Sequence, residues 1–112
     1  MTVLLRLQAG SGPVWAGPHF GKLDLETGEL KQHLFEHSAA QEPVFVPRAP
    51  DAPEGDGFVL SVVNRMKENR SDLVILDGND ISREPIATVR LPFNQPIAFH
   101  GCFAKAEEIP NW

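Results

Sequence analysis

An all-β fold of antiparallel strands is what this sequence predicts, and three observations carry the prediction. The apolar segments are short and rich in β-branched residues. They recur at an even spacing, separated by turn-forming residues. Nine Gly and ten Pro are spread between those segments rather than gathered together, which marks many turns and no disordered tract. No internal repeat is clear, so a sandwich, a barrel and a propeller all fit the pattern.

The elements follow in order. Val3–Leu7 is a candidate strand, and Gly12–Gly17 is a turn-rich join. Lys22-Leu23-Asp24-Leu25 alternates polar and apolar residues, as a half-buried strand does. Glu26-Thr27-Gly28-Glu29 then supplies a turn, with Gly28 free to take a positive φ. The return arm, Glu29–His37, is ambiguous: Leu30, Leu34 and Phe35 share one face of a short helix, whereas hairpin context demands a strand. Val44-Phe45-Val46 is a strand bracketed by Pro43 and Pro47, which cannot donate to a ladder, so it is short or at an edge. Arg48–Gly57 is a Pro/Asp/Gly loop. Phe58–Val63 and Leu73–Leu76 are near-continuous apolar runs suited to strands covered on both faces, joined by the polar stretch Asn64–Asp72. Asp77–Glu84 is a further turn, Ile86–Leu91 a further strand, and Ile97–Phe103 the last.

The 112-residue length fits one domain or a piece of a larger one. With 42% hydrophobic and 22% charged residues, the composition is that of a soluble globular chain. A net charge of −5 and scattered Lys and Arg leave no basic stripe to track phosphates, which argues against nucleic acid as a partner. Cys102 is the only cysteine, so no internal disulfide forms and a reducing compartment is expected. Arg6 interrupts the short apolar start, so no secretory signal is expected. No run approaches the length that spans a bilayer. The expected location is cytoplasmic, with peripheral membrane contact left open.

Few residues carry a chemical signal. His100 lies between apolar residues in Pro96-Ile97-Ala98-Phe99-His100-Gly101, and an imidazole there needs a partner. It is either a core histidine bonded to a carbonyl or a metal ligand. Glu42, before Pro43, is either a solvated or turn-capping carboxylate or one that orients a metal-bound histidine. His33 and His37 are four apart, but Leu34 stands where a zinc helix places glutamate, so that motif is not met. His19 reads as a loop residue. Cys102 has no activating charge in the pattern and reads as a small buried core residue. Asp51, Glu54 and Asp56 lack the calcium-loop spacing and read as a solvated turn. No loop has the form that cradles phosphate.

Several stretches, in order, resemble the carotenoid oxygenase family, which includes carotenoid and apocarotenoid cleavage dioxygenases, stilbene-cleaving relatives and the retinal-pigment-epithelium isomerase. Gly21-Lys22-Leu23-Asp24-Leu25-Glu26-Thr27-Gly28 looks like a blade hairpin. Glu42-Pro43-Val44-Phe45-Val46-Pro47-Arg48 looks like the glutamate-bearing strand. Glu54-Gly55-Asp56-Gly57-Phe58-Val59-Leu60-Ser61-Val62-Val63 looks like the acidic turn and strand after it. Ser71-Asp72-Leu73-Val74-Ile75-Leu76-Asp77 and Ala87-Thr88-Val89-Arg90-Leu91-Pro92 continue the pattern. It closes on Pro96-Ile97-Ala98-Phe99-His100-Gly101, similar to the stretch around the family's last iron-binding histidine. The resemblance covers Gly21 to Phe103, and Met1–His19 match poorly. Gly55 falls where many relatives have a second acidic residue.

The resemblance implies antiparallel strands amounting to about two blades of a seven-bladed β-propeller, and it decides Glu29–His37 in favour of a strand. The whole chain, 1–112, is then a single C-terminal segment of that propeller. Family members hold a ferrous ion (Fe2+) with four histidines, three of them backed by glutamates. Carried over, His100 is a metal ligand and Glu42 a carboxylate behind a ligand histidine, which need not be His100. The implied parent uses O2 to cleave a carbon–carbon double bond of a carotenoid, apocarotenoid or stilbene, giving two carbonyl products. His19, His33 and His37 occupy no ligand motif, so the chain alone is expected to be inactive and to need the remainder of the propeller, or another chain, as partner. The rival expectation is a non-catalytic β-sheet interaction module, or the product of a truncated gene. Phe93, Phe99 and Phe103 line an apolar tunnel or, more simply, pack in the core.

Overall fold

A computed structural model describes residues 2–7, 18–96 and 100–110. The first sheet holds β1 (Thr2–Leu7), β2 (His19–Asp24) and β3 (Leu30–Leu34), antiparallel in that order. Its β2–β3 hairpin closes as its residues dictate. The Asp24 carboxylate accepts the N–H groups of Glu26 (2.9 Å) and Thr27 (3.3 Å), which hold its carboxyl below the ordinary carboxylate range. Gly28 takes φ +75°, the left-handed region a glycine enters without strain. The ambiguous return arm is a strand, paired from Leu23–Leu30 to His19–Leu34. Ladder bonds to β2 outweigh the small helical preference of so short a segment. His19 therefore starts a strand and is not a loop residue, because the paired stretch runs further back than alternation alone reveals. The join expected over 12–17 lies outside the described residues.

The second sheet holds β4 (Ser38–Ala40), β5 (Val44–Pro47), β6 (Gly57–Arg65), β7 (Arg70–Asp77) and β8 (Ala87–Arg90), all antiparallel to their neighbours. β4 and β5 both pair with β6 on the same side. Ala40 opposes Val63 and Val44 opposes Leu60, so this side of the ladder carries one residue more than its partner. The excess forms a bulge at residues 41–43, and Glu42 stands in it. At the far end, Gly57 lets β5 approach closely: a Cβ there would fall 2.2 Å from the Val46 carbonyl oxygen.

The two faces of the second sheet differ. On one, Val59, Val63, Val74 and Leu76 join Phe20, Phe35, Ala40 and Ile81 in a single buried cluster that bonds the two sheets. Phe20 and Phe35 meet edge to face at 5.3 Å. Asp72 is fully buried there, between Arg65 (3.0 Å) and Arg70 (3.2 Å), and the Arg65 guanidinium lies 5.9 Å above the Phe35 ring. On the other face Leu60, Val62, Leu73 and Ile75 are only half-buried.

The chain's end departs from expectation. Of the last expected strand, 97–99 lie outside the described residues, and His100–Phe103 is in no strand. Cys102 is exposed, not a buried core residue, because the segment that carries it lies over the half-covered face instead of entering a sheet. Phe93 and Phe103 are more than half or half exposed, so neither packs in the core, and Phe99 lies outside the described residues. Beyond a 3-10 turn at Ala106–Glu108 there is no helix among the described residues, and none is long and apolar enough to cross a membrane.

Candidate functional site

The bulge delivers Glu42 to the edge of the half-covered face, where it meets the returning chain end. One carboxylate oxygen, Oε2, lies 3.1 Å from His100 Nδ1 and 3.2 Å from the Gly101 amide nitrogen. A carboxylate only accepts, so Nδ1 carries the proton and donates it, and Nε2 of the neutral ring keeps a free lone pair. Gly101 donates its backbone N–H to the same oxygen. Beside the pair lies a cleft of about 160 Å³, lined mainly by Val44, Leu60, Val62, Leu73, Cys102 and Phe103. The His100 side chain is 88% exposed and that of Glu42 40%. In this setting water competes with the contact, which is worth no more than about 1 kcal/mol.

The donor set fits one corner of a metal centre. A neutral imidazole, oriented by a carboxylate on its other nitrogen, is how protein histidines ordinarily present themselves to a metal. Among the described residues no group of three or more His, Cys, Asp or Glu could hold an ion. The other histidines are employed elsewhere. His33 Nδ1 contacts the Ile81 carbonyl oxygen at 2.7 Å with its ring against Phe35, and His37 occupies a turn with φ +51°. The acidic residues of the 48–56 loop do not converge either. Asp56 accepts bonds from Asn79 (3.0 Å) and Arg48 (3.0 Å), which hold its carboxyl below the ordinary range. Three contributors escaped sequence reasoning: the Gly101 amide, the bulge that aims Glu42, and β4, whose three small residues show no alternation.

Fold and site together define a segment of a β-propeller that presents one carboxylate-backed imidazole beside an apolar cleft. The chain belongs to the carotenoid oxygenases: the sequence profile of the family described as retinal pigment epithelial membrane protein matches residues 8–105. An isoeugenol monooxygenase of Pseudomonas putida is 65% identical over 66 residues, covering 59% of this chain and 14% of its own length. The crystal structure of Pseudomonas brassicacearum lignostilbene dioxygenase superposes with TM-score 0.77 at 39% identity, covering 82% of this chain and 19% of that one. A cobalt-substituted Synechocystis apocarotenoid oxygenase superposes with TM-score 0.67 at 38% identity, over 80% and 19%. The chain thus spans a fifth or less of these relatives, and its antiparallel strands amount to about two blades of a propeller.

Proposed function

We propose that this chain supplies the last metal-ligating histidine, His100, and its orienting carboxylate, Glu42, to an oxygenase that cleaves an alkene conjugated to an aromatic ring, of the isoeugenol or stilbene kind. The observation that carries the reading is the Nδ1–H to Glu42 contact at 3.1 Å, which leaves Nε2 available. The identity to isoeugenol monooxygenase, 65% over 66 residues, supports the aromatic substrate class over long polyenes. A ferrous ion, when bound, supplies coordination positions for O2 beside an apolar substrate. His100 would hold that ion through Nε2, while Glu42 keeps the ring's tautomer and raises its basicity. Val44, Leu60, Leu73 and Phe103 would exclude water from the approach. The remaining ligands come from outside the chain, either an upstream continuation of the reading frame or a second chain.

The test has two arms. The 112-residue chain, purified anaerobically and given ferrous iron, should retain far less than one equivalent and should not cleave isoeugenol, a hydroxystilbene or an apocarotenal. Stoichiometric iron with turnover that His100→Ala removes would mean that the chain completes its own site. In a chain continued upstream with further histidine motifs, His100→Ala should abolish iron retention and cleavage together. Glu42→Gln should weaken both by roughly 10–100-fold, the usual effect of losing a ligand's hydrogen-bond partner. Turnover indifferent to His100→Ala in that longer chain refutes the proposal.

A further inference from the structure

Glu42 holds His100 at one end of the returning segment; the other end is held by a separate set of neutral polar side chains. Asn64, on β6, donates from Nδ2 to the Gln95 carbonyl at 2.7 Å and to Ser71 Oγ at 3.2 Å. Ser71 Oγ in turn accepts the Gln95 N–H at 2.8 Å. Gln41 donates from Nε2 to Asn64 Oδ1 at 3.0 Å and to the Pro96 carbonyl at 3.3 Å. Gln41 is itself tied to β6, its N–H reaching the Val62 carbonyl (3.0 Å) and its carbonyl accepting the Ser61 hydroxyl (3.0 Å). Ser71 and Gln41 are both buried, so each bond replaces water that cannot enter.

Two adjacent residues therefore grip the two ends of one stretch: Gln41 holds Pro96, and Glu42 holds His100 and Gly101. Four Cα-to-Cα steps of about 3.8 Å separate Pro96 from His100, so the first grip confines the second to within about 15 Å. Asn64 joins the parts, because its amide is acceptor to Gln41 and donor to Gln95 at once. We propose that Asn64 is a positioning residue for His100: through Gln95 and Gln41 it fastens the start of the histidine-bearing segment against β6, and so sets whether the imidazole meets Glu42. The inference builds on the proposed role of His100, but its direct consequence, an imidazole biased towards one tautomer, needs no metal.

The experiment is nuclear magnetic resonance on the 112-residue chain. It reads the nitrogen shifts of the His100 ring and the hydrogen exchange of the Gly101 amide, with the Val74 and Leu76 amides as controls for the sheet. Wild-type His100 should show a clearly larger share of the Nδ1–H tautomer than a free histidine does. Asn64→Ala and Asn64→Asp should both shift the ring towards the free-histidine ratio. Both should also speed Gly101 exchange by roughly threefold to tenfold, the worth of one hydrogen bond. Asn64→Asp keeps the size and the acceptor for Gln41 while losing both donors, so it decides the matter where Asn64→Ala unfolds the sheet. Wild-type tautomer and Gly101 exchange in Asn64→Asp, with the control amides still protected, overturn the proposal. Glu42→Gln separates the two ideas. A His100 ring unmoved by that substitution defeats the Glu42–His100 pairing, and with it the proposed function, whereas a ring moved by Glu42→Gln but not by Asn64→Asp defeats only the role of Asn64.

Discussion

The two faces of the second sheet, built from the same strands β6 and β7, have different fates. The face towards the first sheet is finished: Val59, Val63, Val74 and Leu76 are buried against Phe20 and Phe35, and Asp72 is enclosed there, paired with two half-buried arginines. The opposite face leaves Leu60, Val62, Leu73 and Ile75 half-covered and puts the His100–Glu42 pair at its edge. One face is thus self-sufficient in its packing, and the other presents chemistry and an incomplete apolar surface. Stability should reside in the first and ligand response in the second.

Substitutions can break that contrast, beginning with the largest expected effect. Asp72→Ala leaves Arg65 and Arg70 without their buried partner and should cost about 3–5 kcal/mol in urea unfolding. A loss below 1 kcal/mol would mean that water reaches the closed face. Leu76→Ala should cost about 2–5 kcal/mol, and Leu73→Ala, on the open face, distinctly less; equal losses would erase the distinction between the faces.

Acid should act through the closed face too. Burial pushes the Asp72 carboxyl up, but hydrogen bonds from Arg65 and Arg70 and their charges outweigh it and hold the group below its ordinary value. A depressed carboxylate contributes stability that is whole above the unfolded pKa of about 3.9 and is lost as pH falls through the folded value. Unfolding free energy should therefore fall below about pH 4, and Asp72→Asn should flatten that acid limb; an unchanged limb would assign it to other carboxylates. The smallest effect belongs to the open face: Glu42→Gln should change the stability of this chain by less than about 1 kcal/mol, as expected of an exposed pair. A larger loss in the same urea titration would make Glu42 a structural residue.

Much of the closed face was legible in the sequence, because alternation in β2 and the apolar runs of β6 and β7 are local signals. The Glu26–Glu29 turn followed from Gly28, but the Asp24 carboxylate that accepts two of its N–H groups did not. What lay hidden depends on contacts distant in the chain. β4 is three small residues that become a strand only because β6 extends far enough to pair with them. His19 is a strand residue because Leu34 lies opposite. Cys102 and Phe103 read as core by their apolar neighbours, yet they lie outside the sheets and are exposed. Of the site, the two residues His100 and Glu42 were legible only through the family resemblance. Their contact, 58 residues apart along the chain, was not readable from any local pattern.

The extra residue opposite β6 makes the length of the Gln41–Pro43 join a matter of parity. Side chains of a strand alternate with period two, so Ala40 and Val44 would share a face in continuous pairing; the bulge puts them on opposite ones. Removing a single residue there would keep Val44 opposite Leu60 in an unbroken ladder, but it would erase the bulge that carries Glu42 and with it the grip on His100. The 48–56 loop between β5 and β6 is different in kind. Its ends are tied by the Arg48 N–H to the Asp56 carbonyl and by the Arg48–Asp56 ion pair. Inside that tie, added length costs only slowly growing loop entropy. Lineages of this protein should accordingly vary freely in length within 49–55 and hold the three residues of 41–43 to a constant count, whatever amino acids fill them beside the glutamate.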